Sequence, residues 1–549
     1  LQPNQGFEKM STVQTSGGIA GLNIAGKDFI DAMGNILFST GGGSGGGTAA
    51  NIASLANYVI YKQAGIYYSI DGLTSTVAFS NADPTTVIQQ SANALSGIGG
   101  LIYIRPGTFA PLIFTIVVPY GVSIIGAGPN ATFLQQGPNL SSGTDMFSLP
   151  HGSGHNTIKG MDLDGNFANQ SGGISASICG FNLQGANQVT FEDLNIHDFT
   201  WEGIYSGNDA STFLYGNRLY ITKCHRNGLG FVNTQHVWFE NITTTYCGNN
   251  GIDCETNSAG ASVSDITMVN LESAYHTGAF TGINGGSAVY LSSYAYKGSG
   301  NMTFINPNLH DCSFLGAAVG IAFAAGAPAG GLKNVKVIGG RIYNCQSGVN
   351  FSGNQQGHQF FGVDSYSNLA NGFQVNGVGN NGYLLADIKF WGCNAYNNVN
   401  YGFFFNGNST NIPQRLYAHG CTAYDDQATP TQNYGMSMAA YVSPDSCLDA
   451  CSAFGNVSGQ IIDYGTVGRI LNSQGNYQAA GSLSVTASPM TYTCGGRPVI
   501  IYIKGGTVSS ITVDGQLAAS ASPATICLGP RQVMVLTYSA APTATITVM

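Results

Sequence analysis

Charge is what this sequence has least of. Asp, Glu, Lys and Arg make up 8 % of its 549 residues, against roughly 25 % in an ordinary soluble protein. Only 18 Lys and Arg stand against 27 Asp and Glu, for a net charge of −9. Such a chain has no basic face to neutralise phosphates, which argues against nucleic acid as a partner. Cysteine is also sparse. Twelve are spread along the chain with no Cys-x-x-Cys pair, and the histidines lack ligand spacing, so neither a disulfide scaffold nor a zinc site is expected. Uninterrupted apolar runs are missing too. The most apolar stretch, "PLIFTIVVPYGVSIIGAG" (111–128), is broken by Pro119 and glycines and reads as two strands, not a membrane span.

In place of charge stand 77 Gly, 28 Tyr and many Asn, Ser and Thr. A surface of amides, hydroxyls and rings suits an extracellular, cell-surface or virion protein that meets sugars or other protein. Seven Asn-x-Ser/Thr triplets, at Asn130, Asn139, Asn169, Asn241, Asn301, Asn408 and Asn456, are compatible with a glycosylated exterior.

Residues 1–50 end in "GGGSGGG" and read as an attachment region with a flexible linker. Within them "DFIDAMGNILFST" alternates like a strand or hairpin, and residues 51–80 carry further hairpin signals. "ADPTTVIQQSANAL" then reads as a helix, with Asp83 as its N-cap, Pro84 in the first turn and Val87, Ile88, Ala92 and Leu95 on one face. From 81 to 477 the chain repeats. A glycine followed by an apolar residue recurs nine positions after another core position: Gly172 after Leu163, Gly203 after Leu194, Gly228 after Leu219, Gly251 after Ile242, Gly372 after Val363 and Gly402 after Cys393. Looser copies occur at Gly320, Gly348, Gly435 and Gly459. A period of 23 to 33 residues, built from short β strings and Asn/Gly turns, marks a parallel β-helix. Leucine-rich and helical repeats are excluded for want of their frames. Residues 478–549 change to alternating runs with Gly/Pro turns, read as a small β-sandwich in which Cys494 and Cys527 are the best disulfide candidates.

Several stretches resemble one family. "DPTTVIQQSANALSGIGGLIYIRPGTF", "VSIIGAGPNATFLQ" and "IKGMDLDGN" are similar to the opening coils of the pectate-lyase-like superfamily. "FGNVSGQIIDYGTVGRILNSQGN" looks like the terminal coils of its viral and microbial surface members. The resemblance implies an all-β fold, a right-handed single-stranded parallel β-helix with an N-terminal capping helix, completed by the C-terminal β-sandwich. It leaves activity open, since the superfamily holds lyases, hydrolases, tailspikes and adhesins.

The Gly-His-Gly and Arg-x-Lys tripeptides of polygalacturonase-like hydrolases are absent. A pectate lyase's Ca²⁺-holding carboxylates beside an Arg or Lys base are tested by the repeat register. It sets Asp162, Asp193 and Arg218 in one outward column, with Asp164 on the other side. Asp162, Asp164 and Asp193 are therefore the candidate Ca²⁺ ligands, and Asp193 with Arg218 a candidate acid/base pair. A charge-compensated surface ladder is the competing account. A second patch precedes each repeat glycine. Glu202 falls beside Asn227 and Asn250, and Trp201 beside Arg226, with His225 next to it and Asp253 and Glu255 one coil on. Glu202 with Asp253 or Glu255 would supply a glycosidase's carboxyl pair, with Trp201, His225 and Arg226 binding substrate. Cys224 and Cys247 share a column, as a core stack or a cross-coil disulfide. Cys393, Cys421 and Cys451 mark another inward column.

These features point to recognition of a surface polysaccharide in the manner of a tailspike or adhesin, by a homo-oligomer (trimer or filament), with cleavage open. The rivals are a structural subunit that polymerises into an extracellular filament and a secreted polysaccharide lyase or glycoside hydrolase.

Overall fold

In the computed structural model, residues 56–549 are described except 208, 257–259, 277–285, 294–298, 313–317, 326–330, 378–382, 440, 464–468, 472, 474–481, 484, 486, 495–498, 530 and 549. The attachment region and "DFIDAMGNILFST" lie outside the described residues. The rest is dominated by a parallel β-helix. One of its sheets has 13 strands, from Ile116–Val117 to Gly459–Asp463, one from each successive coil and each paired in parallel with the next. The remaining walls join into a 28-stranded sheet, whose longest members are Gly154–Asp164, Asn187–His197, Ser211–Thr222, Thr234–Thr245 and Val263–Ala274.

Strand alternation and register build the core. Phe181, Ile204, Leu229, Ile252 and Val289 face inward one above another, as Phe373 and Phe403 do farther along, with their rings stacked at 4.8 Å. The residue before each, apart from Ala288 before Val289, is the repeat glycine, where the backbone of the next coil comes close. A Cβ on Gly228 would lie 2.7 Å from the Gly251 carbonyl oxygen, and one on Gly372 equally close to that of Gly402. Glycine is the residue that fits there.

The first repeat differs from the expected register. Its glycine is Gly180, not Gly172, and the partner of Leu194 is Met161, not Leu163. The cause is an insertion after Asp164 containing two short 3₁₀ turns, Phe167–Asn169 and Gly173–Ala176. Gly459 also stands outside the glycine column, being paired with Tyr434.

The long strands turn corners through single left-handed residues. Asp193, Arg218, Asn241, Asn270 and Asn306 all have φ between 51° and 54°. Asn tolerates this conformation best among residues with a Cβ, and here its side chain also links coils. Asn270 donates to Asn241 and Asn306 to Asn270, both at 3.1 Å.

At the N-terminal end, strands Tyr58–Gln63 and Ile66–Asp71 form a hairpin whose first strand also pairs with Gly100–Ile104 of the first coil. Helix Pro84–Ala94 packs beside it, with Asp83 accepting from the Thr85 and Thr86 amides and Val87, Ile88 and Ala92 buried. Beyond the β-helix, two four-stranded antiparallel sheets share a second core that includes Ile501, Ile526 and Leu528 from one and Ile511, Met534 and Leu536 from the other. The Cys494–Cys527 disulfide expected there is not formed. Alternation along Ala524–Leu528 turns Ile526 and Leu528 inward, so Cys527 faces solvent while Cys494 is buried. Cys224 and Cys247 are buried free thiols in adjacent coils, and Cys393, Cys421 and Cys451 form the inward column expected of them. No disulfide is present among the described residues.

Gly372→Ala forces a methyl group into the carbonyl of the next coil, an overpacking expected to destabilise by about 1–3 kcal/mol. Chemical denaturation of the variant and the parent checks this. An unchanged midpoint would show that the coils are not held at this spacing.

Candidate functional site

The turn before the 13-stranded sheet brings Glu202 and Arg226 into adjacent coils, and the strand Ile252–Cys254 brings Asp253 alongside. The sheet's outward positions here run Asn182, Tyr205, Gly230, Asp253 and Tyr290. Gly230 interrupts this row of side chains, and the gap, here called the Gly230 notch, is lined closely by the Glu202 carboxyl and the Tyr205 ring: a Cβ on Gly230 would lie 3.0 Å from Glu202 Oε1 and 3.4 Å from Tyr205 Cδ2.

Five of the six residues expected to act together, Trp201, Glu202, Arg226, Asp253 and Glu255, do assemble. Arg226 Nη1 donates to Glu202 Oε1 at 2.8 Å, and its Nη2 lies 3.7 Å from Glu255 Oε1. The same guanidinium sits 4.6 Å over the Trp201 ring. Asn227 Nδ2 donates both to Glu202 Oε1 at 3.0 Å and to Asp253 Oδ2 at 2.9 Å, tying the two carboxyls through one nitrogen. His225 does not join this group. It is buried, with its ring stacked on Phe167, and burial lowers its pKa to about 4.

Burial governs the protons. Glu202 is 1 % exposed, and desolvation outweighs Arg226 and the Asn227 amide to raise its pKa to about 7. Asp253, 3 % exposed, is raised well above the usual carboxylate value by burial and then by the charge of Glu255. Asp145 is raised by burial as well, although it accepts from the Cys179 amide and Asn182. Tyr205, beside Glu202, rises to about 12, chiefly by burial. The cluster therefore combines a carboxyl whose pKa is raised to about 7 with a second that holds its proton more tightly than an ordinary carboxyl. Asp253 Oδ1 is buried without a hydrogen-bond partner. Asp145, Tyr205 and Gly230 escaped the sequence reading. The single glycine within the outward row was the one signal for them, and it shows only once the register is known.

The expected Asp162–Asp193–Arg218 ladder and Asp162–Asp164–Asp193 ion set are rearranged by the two-residue slip in the first coil. Asp162 pairs with Asn195, not Asp193, and its Oδ1 lies 2.9 Å from His197 Nε2. Asp164 accepts from Gln135 at 2.7 Å. Asp193 stands across the corner, bonded by Arg218 Nε and 3.6 Å from Lys159, which also pairs with Glu192 at 2.9 Å. Oxygens of Asp164 and Asp198 and a nitrogen of His197 do lie within 4.8 Å of one another. Burial opposes a charge on His197, but its hydrogen bonds to Asp162 and Asp198 prevail and raise its pKa to about 10. Asp162 and Asp193 lie outside that group, so the three carboxylates expected as a Ca²⁺ set are not brought together.

Glu202 also leaves a mark on stability. Its folded pKa of about 7 lies above the ordinary 4.5, so the native state holds a proton that the unfolded chain releases between those values. Its contribution should therefore fall as pH rises through that window, by on the order of 3 kcal/mol. Denaturation of wild type and Glu202→Gln at pH 5 and pH 8 is expected to show this loss in wild type and its removal in the variant. Parallel pH profiles would contradict the assignment.

No protein-family model matches the sequence, and no curated protein does. Among solved structures, the chain is similar to the A-module of the mannuronan C-5 epimerase AlgE6 of Azotobacter vinelandii, with 16 % identity and a TM-score of 0.50 over 72 % of this chain and 96 % of that one. The Dettilon tailspike protein gives 10 % identity and a TM-score of 0.49 over 85 % and 91 %. The N-terminal fragment of gene product 12 of bacteriophage Phi29 gives 14 % and 0.49 over 72 % and 69 %. At these identities the likeness to the epimerase module is one of fold, and that fold is the parallel β-helix.

Proposed function

We propose that this β-helix is a surface glycan-binding protein of the tailspike or adhesin kind, at work outside the cell or on a virion, and that it engages a polysaccharide at the Gly230 notch. The observation that carries this reading is Asp253 Oδ1, a buried carboxyl oxygen with no hydrogen-bond partner. Native proteins rarely leave such an atom unpaired. A sugar hydroxyl entering the notch satisfies it, while the partly buried Trp201 and Tyr205 offer ring surface beside it. The mannuronan epimerase and phage tailspike among the solved structures lend the reading company.

Charge narrows the ligand. Burial pushes the Glu202, Asp253 and Asp145 carboxyls toward their protonated forms, and the Arg226 guanidinium already faces Glu202 and Glu255. The cluster leaves no unpaired cation for a uronate carboxylate, so neutral or amino sugars fit better.

Cleavage is supported by one further geometric fact. The Glu202 and Asp253 oxygens share a single Asn227 nitrogen, which keeps them nearer than the roughly 6.5–9.5 Å of inverting glycosidases and compatible with the ~5–5.5 Å of retaining ones. Glu202, its pKa raised to about 7, is placed to protonate the leaving oxygen. The retaining reaction then requires the Asp253 carboxyl to shed its proton on binding and attack the anomeric carbon, forming a glycosyl ester that water hydrolyses with Glu202 as base.

Incubation with a panel of neutral, amino and uronate polysaccharides tests this. Binding to a neutral or amino polymer is expected. Where reducing ends are released, Glu202→Gln should slow release about 10²–10⁴-fold and leave binding in place. Absence of binding across the panel would refute the reading, and unaffected cleavage by Glu202→Gln would remove that residue from the chemistry.

A further inference from the structure

The long-strand wall carries a second feature, on a different face from the notch. One of its left-handed corners runs through His155, Gln188, Phe213, His236, Asp265, Asn301 and Asn334, with φ between 52° and 57° throughout. Four of the seven are Asp, Asn or Gln. The exceptions are His155 and, in two adjacent coils, Phe213 and His236. A bulky residue at positive φ is strained, and strain of this kind persists where something outside folding retains it. Packing in the core does not retain these. Phe213 is 54 % exposed, and its ring stacks on that of His236 at 4.8 Å in the open.

The next outward position extends the patch. Tyr215 and Trp238 are register partners, where the preceding and following coils carry Thr190 and Thr267. Trp238 is 46 % exposed. Tyr215 donates its hydroxyl to Glu240 Oε1 at 2.9 Å, which fixes a carboxylate beside the rings. Arg218 is occupied by Glu192 and Asp193. No Leu, Ile, Val or Met is exposed or half-buried in strands Ser211–Thr222 and Thr234–Thr245.

We propose that Phe213, Tyr215, His236 and Trp238, with the Glu240 carboxylate, form a binding platform for an uncharged glycan chain. The chemistry selects this occupant. Flat rings with fixed hydroxyl and carboxylate groups between them match the C–H faces and hydroxyls of pyranoses. Carboxylates outnumber the one, already paired, guanidinium, which disfavours an anionic polymer. The proposal rests on the glycan reading above but uses a separate face, so a polysaccharide chain has two points of attachment on one molecule.

Affinity electrophoresis through gels containing dextran, soluble chitin oligomers or alginate tests it, with Phe213→Asn, Trp238→Ala and Trp201→Ala compared with wild type. Phe213→Asn puts a residue suited to the corner in place of a strained one. Its melting temperature is expected to stay level or rise, while retardation by dextran or chitin oligomers weakens at least tenfold, as it should in Trp238→Ala. Retardation of both platform variants equal to wild type would overturn the platform. If Trp201→Ala alone lost retardation, the notch would stand and the platform would fall. Wild type unretarded in every gel would overturn both. A loss of melting temperature in Phe213→Asn without loss of retardation would make the corner structural and also overturn the proposal.

Discussion

Every other feature of this molecule depends on the parallel hydrogen bonding of one coil to the next. Each coil's amides are satisfied by its neighbours, so the chain can add coils but cannot shift one sideways without turning its core outward. Register therefore converts sequence into columns. Inside, glycines admit the approaching backbone, and Phe, Ile, Val and Leu stack above them. Even the buried polar groups comply. Asn368 donates to Asn398 at 2.9 Å, Asn398 to Gln432 at 3.1 Å and Gln432 to Asn456 at 2.6 Å, a chain of amides running along the axis inside the core. Each amide would be a burden alone and is satisfied as a member of the column.

Against such regularity, departures stand out, and the functional candidates are departures. Gly230 breaks a row of outward side chains and makes room for the Glu202 carboxyl. Asp253 is a buried acid where other coils carry Tyr205, Tyr290 or Ala322. Phe213 and His236 put exposed, stacked rings in a corner that Gln188, Asp265, Asn301 and Asn334 fill in other coils. By contrast, the outer row of Tyr343, Tyr366, Tyr396 and Tyr424 obeys the column rule. Its rings stack face to face at 4.7 to 4.9 Å, so neighbouring rings cover their faces and the row reads as architecture.

The β-helix was legible because the backbone itself demands the signal. Gly203, Gly228 and Gly251 had to be glycine, and their spacing reports the coil length directly. The grouping of Glu202, Asn227, Trp201 and Arg226 followed from counting along that same column. What sequence could not supply was register across an insertion. The turns after Asp164 shifted the first coil by two residues, enough to separate Asp162 from Asp193 and hand it to His197. Cys494 and Cys527 misled for a related reason, since the facing of each thiol depends on alternation within its own strand. His225 was placed correctly along the chain, but its burial beneath Phe167 depended on the insertion, whose path the repeat does not encode.

The central claim is that glycan meets the outer wall at the Gly230 notch. A crystal structure with an oligosaccharide taken from a polysaccharide that the protein binds tests it most directly. The account expects a sugar hydroxyl or glycosidic oxygen within hydrogen-bond distance of Asp253 Oδ1, with Glu202 and Arg226 facing the same residue of the chain. A bound saccharide that leaves Asp253 Oδ1 unpartnered, with the notch unchanged, would contradict it.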